Sequence, residues 1–300
     1  MVPSPGGKYS WSPVQSLFAT RRAQETNAAV IYIHGGGWCI MRPKFYDEPL
    51  LALIERLGCP VISIDYHLSP EAKFPSAILE CERVVQEIHD NKFKDYNIDP
   101  NRIALMGDSA GGNISAVLCQ RALRQKRVLA KCQVLVYPVI HLLDTLSPAY
   151  RHYYSTYKGS SLLNPKSLIR WYLMYLGIEA TQQNIKAVMR NQHIPKELKE
   201  DIGINRLIDT SSLPTALLDK KSSDVKLPSP SVSTNTELAH KMKKFLADPN
   251  LCPLLGKDLT GLPPAMIVTA GVDILRDEGV LYARRMRDFG VPVQWSHYEA

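Results

Sequence analysis

Short apolar blocks separated by longer amphipathic stretches recur along most of this chain. Residues 28–33 form a β-branched run, and residues 60–64, 102–106, 132–137, 264–270 and 292–296 repeat the pattern. Continuous apolar runs of that length predict strands buried on both faces. Between them, residues 44–57, 75–89, 113–124 and 280–289 carry apolar side chains at helical spacing, as with Ile78, Val85 and Ile88. Strands alternating with helices of ten or more residues predict an α/β fold: a mostly parallel, doubly wound sheet with helices on both faces. The pattern stops between residues 141 and 261, which read as helices and loops without sheet strands, residues 219–235 being a Ser/Pro/Lys-rich loop. A helical insertion of this size is either a cap over a site or a set of peripheral helices packed on the sheet. The organisation expected is one domain: a sheet core from 28–140 and 262–300, the insertion 141–261, and an irregular segment 1–27. Within that segment, residues 14–18 make at most an edge strand.

Composition adds limits. The 300 residues are enough for one large core, and 45% hydrophobic with 22% charged content is ordinary for a globular protein. The net charge of +7 comes largely from scattered lysines without interleaved aromatics, so nucleic acid is not indicated; weak attraction to anionic membrane surfaces is. The six cysteines show neither a C-x-x-C pair nor metal-ligand spacing, which leaves the redox compartment open. The first seven residues are neither a signal peptide nor an anchor, and no run of about 18 apolar residues occurs. The single glycosylation triplet, Asn113-Ile114-Ser115, falls in a predicted buried helix and reads as chance.

The chemistry is concentrated at strand ends. Gly107-Asp108-Ser109-Ala110-Gly111-Gly112 fits G-x-S-x-G between a predicted strand and a predicted helix. That context is a nucleophile elbow, a tight turn that holds the serine Oγ out above a parallel sheet. His34-Gly35-Gly36-Gly37-Trp38 follows the first strand and offers flexible backbone N–H groups to an oxyanion. Its His34 is expected to hold the glycine loop by hydrogen bonding, because the catalytic histidine comes last in this chain order. Asp273, just past a strand end and after the serine, is in position to orient an imidazole. Trp38 and the apolar 171–176 segment are expected near the pocket mouth, with Trp38 as a substrate-binding side chain.

Together these motifs, with the segment Asp65-Tyr66-His67-Leu68-Ser69-Pro70-Glu71, resemble the hormone-sensitive-lipase group of α/β-hydrolases, and within it the arylacetamide deacetylase-like proteins. The resemblance covers residues 28 to 300. It implies a serine hydrolase of carboxylic esters or amides: Ser109 as nucleophile, Asp273 as acid, oxyanion donors from the backbone of Gly35, Gly36, Gly37 and Ala110, and no metal or organic cofactor. It also implies the endoplasmic reticulum membrane as location, although the anchor-free chain is also compatible with the cytosol. The chain departs from the family at four points. His67 replaces an arginine; Ala270 stands where the disulfide partner of Cys39 would be; the family's N-terminal anchor and first strands are missing; and the chain stops at Ala300, before the loop that carries the catalytic histidine. Truncation at both ends predicts exposed apolar sheet surface and an unpaired edge. Among eight histidines only His297, directly after the last predicted strand, is a candidate substitute base. Two functions stay open: hydrolysis of small acyl esters or amides of lipophilic alcohols and amines, and non-catalytic binding of such ligands by a vestigial site.

Overall fold

The computed structural model describes residues 26–157, 163–218 and 234–299. Six strands, β1 (Ala29–Ile33), β2 (Val61–Ile64), β3 (Ile103–Asp108), β4 (Cys132–Val136), β5 (Ala265–Ala270) and β6 (Val293–Tyr298), form one sheet. Their order is β2-β1-β3-β4-β5-β6, and every pairing is parallel. Every position of β1 and β2 is buried, which is why both strands are unbroken apolar runs. The expected residues 14–18 strand and most of the 219–235 loop lie outside the described residues.

Alternate side chains of β1 enter two different cores. Ala29, Ile31 and Ile33 join the large core built with α2 (Ser76–Glu87), α3 (Ala110–Arg124) and α10 (Arg276–Asp288). Val30 and Tyr32 join a smaller core under Leu50, Leu53 and Ile54 of α1 (Asp47–Leu57). On this second face α1 lies at the β1–β2 end. Met106, Val134, Val136, Met266 and Val268, further along the same face, are only partly buried. The described part of the insertion between β4 and β5 consists of helices joined by loops, without a strand: α4 (Pro148–His152), α5 (Pro165–Tyr175), α6 (Gln182–Val188), α7 (Lys196–Lys199), α8 (Ile202–Leu207) and α9 (Thr236–Leu246).

Two helices begin earlier than hydrophobic spacing predicts. α3 starts at Ala110, because Gly111 and Gly112 sit in a helical turn too close to its neighbours for side chains. A Cβ on Gly111 would stand 1.9 Å from the carbonyl oxygen of Ile33. α10 starts at Arg276, since its charged first turn is buried and paired. Glu278 accepts the N–H groups of Ile140 and His141 at 2.6 and 2.7 Å, and Asp277 accepts that of Ala149 at 2.7 Å. Arg276 donates to Asp277 at 2.9 Å and to the Leu217 carbonyl at 3.0 Å, so each of the three buried side chains has hydrogen-bond partners, and burial pushes the Glu278 carboxyl well up. Asn113 of the glycosylation triplet is fully buried, its amide donating to the carbonyls of Val139 and Leu251.

After β1 the chain turns to one side to make β2, and it then returns to the other side to make β3. The strand order therefore reverses between β1 and β3. In open parallel sheets the crevice outside the carboxyl ends at such a reversal is where ligands bind. The two loops there are the glycine loop and the Ser109 turn.

Candidate active site

Ser109 links the end of β3 to the start of α3 with φ 52° and ψ −117°, a conformation that costs a non-glycine residue on the order of 1–3 kcal/mol. Its surroundings leave it no alternative. The Ser109 N–H donates to the Val136 carbonyl at 2.9 Å, and its carbonyl accepts from Asn113 and Val139 at 3.0 and 3.1 Å. Gly107 lies back to back with Gly111, where a Cβ would meet backbone at 2.4 Å. The Ser109 Oγ makes no hydrogen bond among the described residues and is left for chemistry.

The glycine loop is clamped behind this turn. His34 is fully buried and stacks on Tyr66 with ring centroids 4.3 Å apart. Its Nδ1–H donates to the Gly35 carbonyl at 2.8 Å, and burial pushes its pKa down, keeping the ring neutral. The Tyr66 hydroxyl donates to the His34 carbonyl at 2.9 Å. Gly35 departs from the expected role. Its N–H donates to Asp108 Oδ1 at 2.9 Å and to the Tyr46 hydroxyl at 3.1 Å, so it is not open to an oxyanion. The N–H groups of Gly36 (φ 101°) and Gly37 (φ 58°) have no partner among the described residues. Ala110 adds the first N–H of α3, at the positive end of the helix dipole.

Trp38 also departs from expectation. Its ring is completely buried, stacked on Tyr175 of α5 at 4.5 Å and tilted against Tyr172 at 5.6 Å. It fastens the glycine loop to the insertion, away from a pocket wall. The attachment is extensive: a Cβ on Gly37 would meet the Trp171 ring at 2.6 Å, and the Cys39 thiol donates to the Trp171 carbonyl at 3.5 Å.

Asp273 follows β5, with Oδ1 accepting the Leu275 N–H at 3.0 Å and the other oxygen without a hydrogen bond among the described residues. Burial pushes its carboxyl up to about 6. Its loop is braced on the end of β6: the Gly271 N–H donates to Tyr298 at 2.7 Å, and a Cβ there would stand 2.4 Å from the Glu299 carbonyl oxygen. One strand separates β3 from β5, so the Ser109 and Asp273 turns are about 10 Å apart, a gap that one imidazole bonded at both nitrogens fills. His297 faces Thr269 across the β5–β6 pairing, its Nδ1 3.0 Å from the Thr269 hydroxyl and its Nε2 3.6 Å from Glu299. All six cysteines are free thiols, Cys39 among them.

Over residues 30–200 and 208–300 the sequence matches the family described as the alpha/beta hydrolase fold. The chain is an α/β-hydrolase. Mouse arylacetamide deacetylase is 32% identical over 296 residues, covering 96% of this chain and 70% of that protein. Mouse neutral cholesterol ester hydrolase 1 is 32% identical over 282 residues, 90% of this chain and 65% of that protein. The chain thus stands with the arylacetamide deacetylase-like members. Among solved structures, a fungal esterase from Rhizomucor miehei superimposes with TM-score 0.66 at 26% identity, over 94% of this chain and 66% of that one. An esterase from Pyrobaculum calidifontis gives 0.60 at 26% identity, over 92% and 68%. For this α/β-hydrolase the comparisons support hydrolase-type chemistry on carboxylic esters or amides. The side chains that sequence reasoning missed are Asp108, Tyr32, Tyr46 and Tyr66. Asp108 carried a signal as the unassigned acid inside the serine motif, and Tyr66 as a member of the Asp65 to Glu71 segment.

Proposed function

We propose that this chain hydrolyses esters or amides that join small acyl groups to lipophilic alcohols or amines. The observation that carries the proposal is Ser109, held at φ 52° at the carboxyl end of β3 beside the two unpartnered glycine N–H groups. The Ser109 oxygen attacks the carbonyl carbon, and the N–H groups of Gly36, Gly37 and Ala110 take up the oxyanion. An imidazole accepts the hydroxyl proton and returns it to the departing alkoxide or amine; water then releases the acyl group by the same route. Asp273 orients that imidazole through its free oxygen. The base proposed is a histidine on the segment that follows β6. The packing of Tyr298 and Glu299 on Gly271 supports this, because it leads the chain toward Asp273.

Residues 1–300 alone are then slow, since loss of the triad histidine costs on the order of 10⁶-fold in kcat in subtilisin. The test expresses the chain as written and with a C-terminal extension carrying a histidine. It compares p-nitrophenyl butyrate hydrolysis and fluorophosphonate labelling, with Ser109→Ala as control. Strong Ser109-dependent labelling is expected only in the extended form. Brisk labelling of the unextended chain, abolished by His297→Ala, would assign the base to His297 instead. The second reading is ligand binding without turnover; an extended form that binds esters but leaves them intact would establish it. A lipophilic substrate further suggests work at the endoplasmic reticulum membrane by peripheral contact, which cell fractionation tests. No helix among the described residues is long and apolar enough to cross a membrane.

A further inference from the structure

Behind the glycine loop lies a buried carboxylate that the proposed chemistry does not use. Asp108, 6% exposed, accepts the Tyr32 hydroxyl at 2.7 Å and the Gly35 N–H at 2.9 Å on Oδ1, and the Tyr46 hydroxyl at 3.0 Å on Oδ2. The Tyr46 hydroxyl in turn accepts the same Gly35 N–H at 3.1 Å, which closes a ring of hydrogen bonds around that one amide. The approach needs a glycine: a Cβ at position 35 would stand 2.3 Å from the Asp108 carboxylate oxygen.

These contacts fix two consecutive peptide planes. The plane joining His34 to Gly35 is held at its oxygen by Tyr66 and at its N–H by Asp108 and Tyr46. The next plane is held at the Gly35 oxygen by His34 Nδ1. In a trans peptide the carbonyl and the N–H point in opposite directions, so fixing the Gly35 oxygen aims the Gly36 N–H the other way. We infer that Asp108, acting with Tyr46 on the Gly35 amide, is a positioning unit that aims the Gly36 N–H at the anion formed on Ser109. Tyr32 touches the carboxylate but not the loop, so it holds Asp108 without aiming anything. This inference rests on the proposed nucleophilic role of Ser109.

Phenylboronic acid tests it without the missing base. Its boron accepts a lone pair from the Ser109 oxygen, the hydroxyl proton passes to buffer, and the tetrahedral adduct carries the negative charge. Benzamide, neutral and unreactive, serves as the reference ligand, and both are titrated calorimetrically into the 300-residue chain. Removing one oxyanion donor costs ~10²–10³-fold, so Asp108→Asn should weaken phenylboronic acid roughly 100-fold and Tyr46→Phe roughly 10-fold. Tyr32→Phe should weaken it less than about threefold, and benzamide should stay within about twofold throughout. Equal losses for both ligands, or a larger effect from the more buried Tyr32, would mean that the cluster only stabilises the fold and would overturn the inference. If Ser109→Ala leaves phenylboronic acid binding unchanged, it is the nucleophile assignment that fails. Amide exchange then decides the positioning unit alone: Tyr46→Phe should speed exchange at residue 35 at least about tenfold and leave residues 105–107 unchanged. An unaltered rate at residue 35 would rule it out.

Discussion

Replacing Asp273 by asparagine should stabilise the protein at neutral pH while disabling its proposed role. The carboxyl is pushed up from its ordinary 3.8 to about 6, chiefly by burial, with the Leu275 N–H and Arg276 partly offsetting that. A group whose native pKa is raised binds its proton more tightly in the native than in the unfolded state. Its neutral form therefore loses an advantage as pH rises through about 4 to 6, and the ionised form is a constant cost above that. Two units at ~1.4 kcal/mol each set an upper bound of ~3 kcal/mol, and partial exposure with local relaxation reduces this to about 1–2 kcal/mol. Asparagine keeps an acceptor for the Leu275 N–H and removes the charge. At this chain length ~1 kcal/mol moves Tm by roughly 2 °C, so Asp273→Asn should melt ~2–4 °C higher at pH 7.5. The difference should shrink to nothing below about pH 4, where both forms are neutral in the native state. Paired thermal melts from pH 4 to pH 8 measure it. A variant that melts lower at pH 7.5, or higher by the same margin at pH 4, would show that burial does not set the energy of this carboxyl.

Trp38→Ala should cost ~3–5 kcal/mol, because it empties the space beneath the Tyr175 stack; Trp38→Phe should recover most of it, and a denaturant titration that finds less than about 1 kcal/mol for the alanine would contradict the packing described. Gly111→Ala should abolish soluble expression, its Cβ standing 1.9 Å from the backbone of Ile33. Gly112→Ala, facing the Pro138 ring at 2.9 Å, should only lower Tm, and equal behaviour of the two would refute the steric account.

The strands and their parallel arrangement were legible because burial on both faces leaves unbroken apolar runs, as in β1 and β2. The serine turn was legible because close backbone approach leaves only glycine at positions 107 and 111. What escaped was local and directional. Gly35, Gly36 and Gly37 are identical letters, and only the register of β1 against β3, which sets Asp108 behind Gly35, separates the engaged N–H from the free ones. The start of α10 was misplaced because Arg276, Asp277 and Glu278 look like solvent-facing charge. The two carboxylates pair with backbone amides of residues 140, 141 and 149 and Arg276 with the Leu217 carbonyl, all too far away in sequence for any local pattern to show. Trp38 and the 171–176 segment were both recognised as apolar and near the site, yet nothing in either indicated that they satisfy each other.

That mutual attachment bears on how such a protein can be altered. One way to alter this hydrolase is to exchange its helical insertion for another. Here the exchange would also remove Trp171, Tyr172 and Tyr175, against which Gly37 and Trp38 are seated. Two further strands of backbone meet there, with Ser69 donating to the Trp38 carbonyl and Phe74 to that of Tyr175, both at 2.8 Å. A chimaera cut at the ends of the insertion would acquire a new roof and lose the floor of its own glycine loop. Residues 34–39, 69–75 and 171–177 have to be transplanted as a unit, together with Phe245 of α9, which packs edge-on against Phe74.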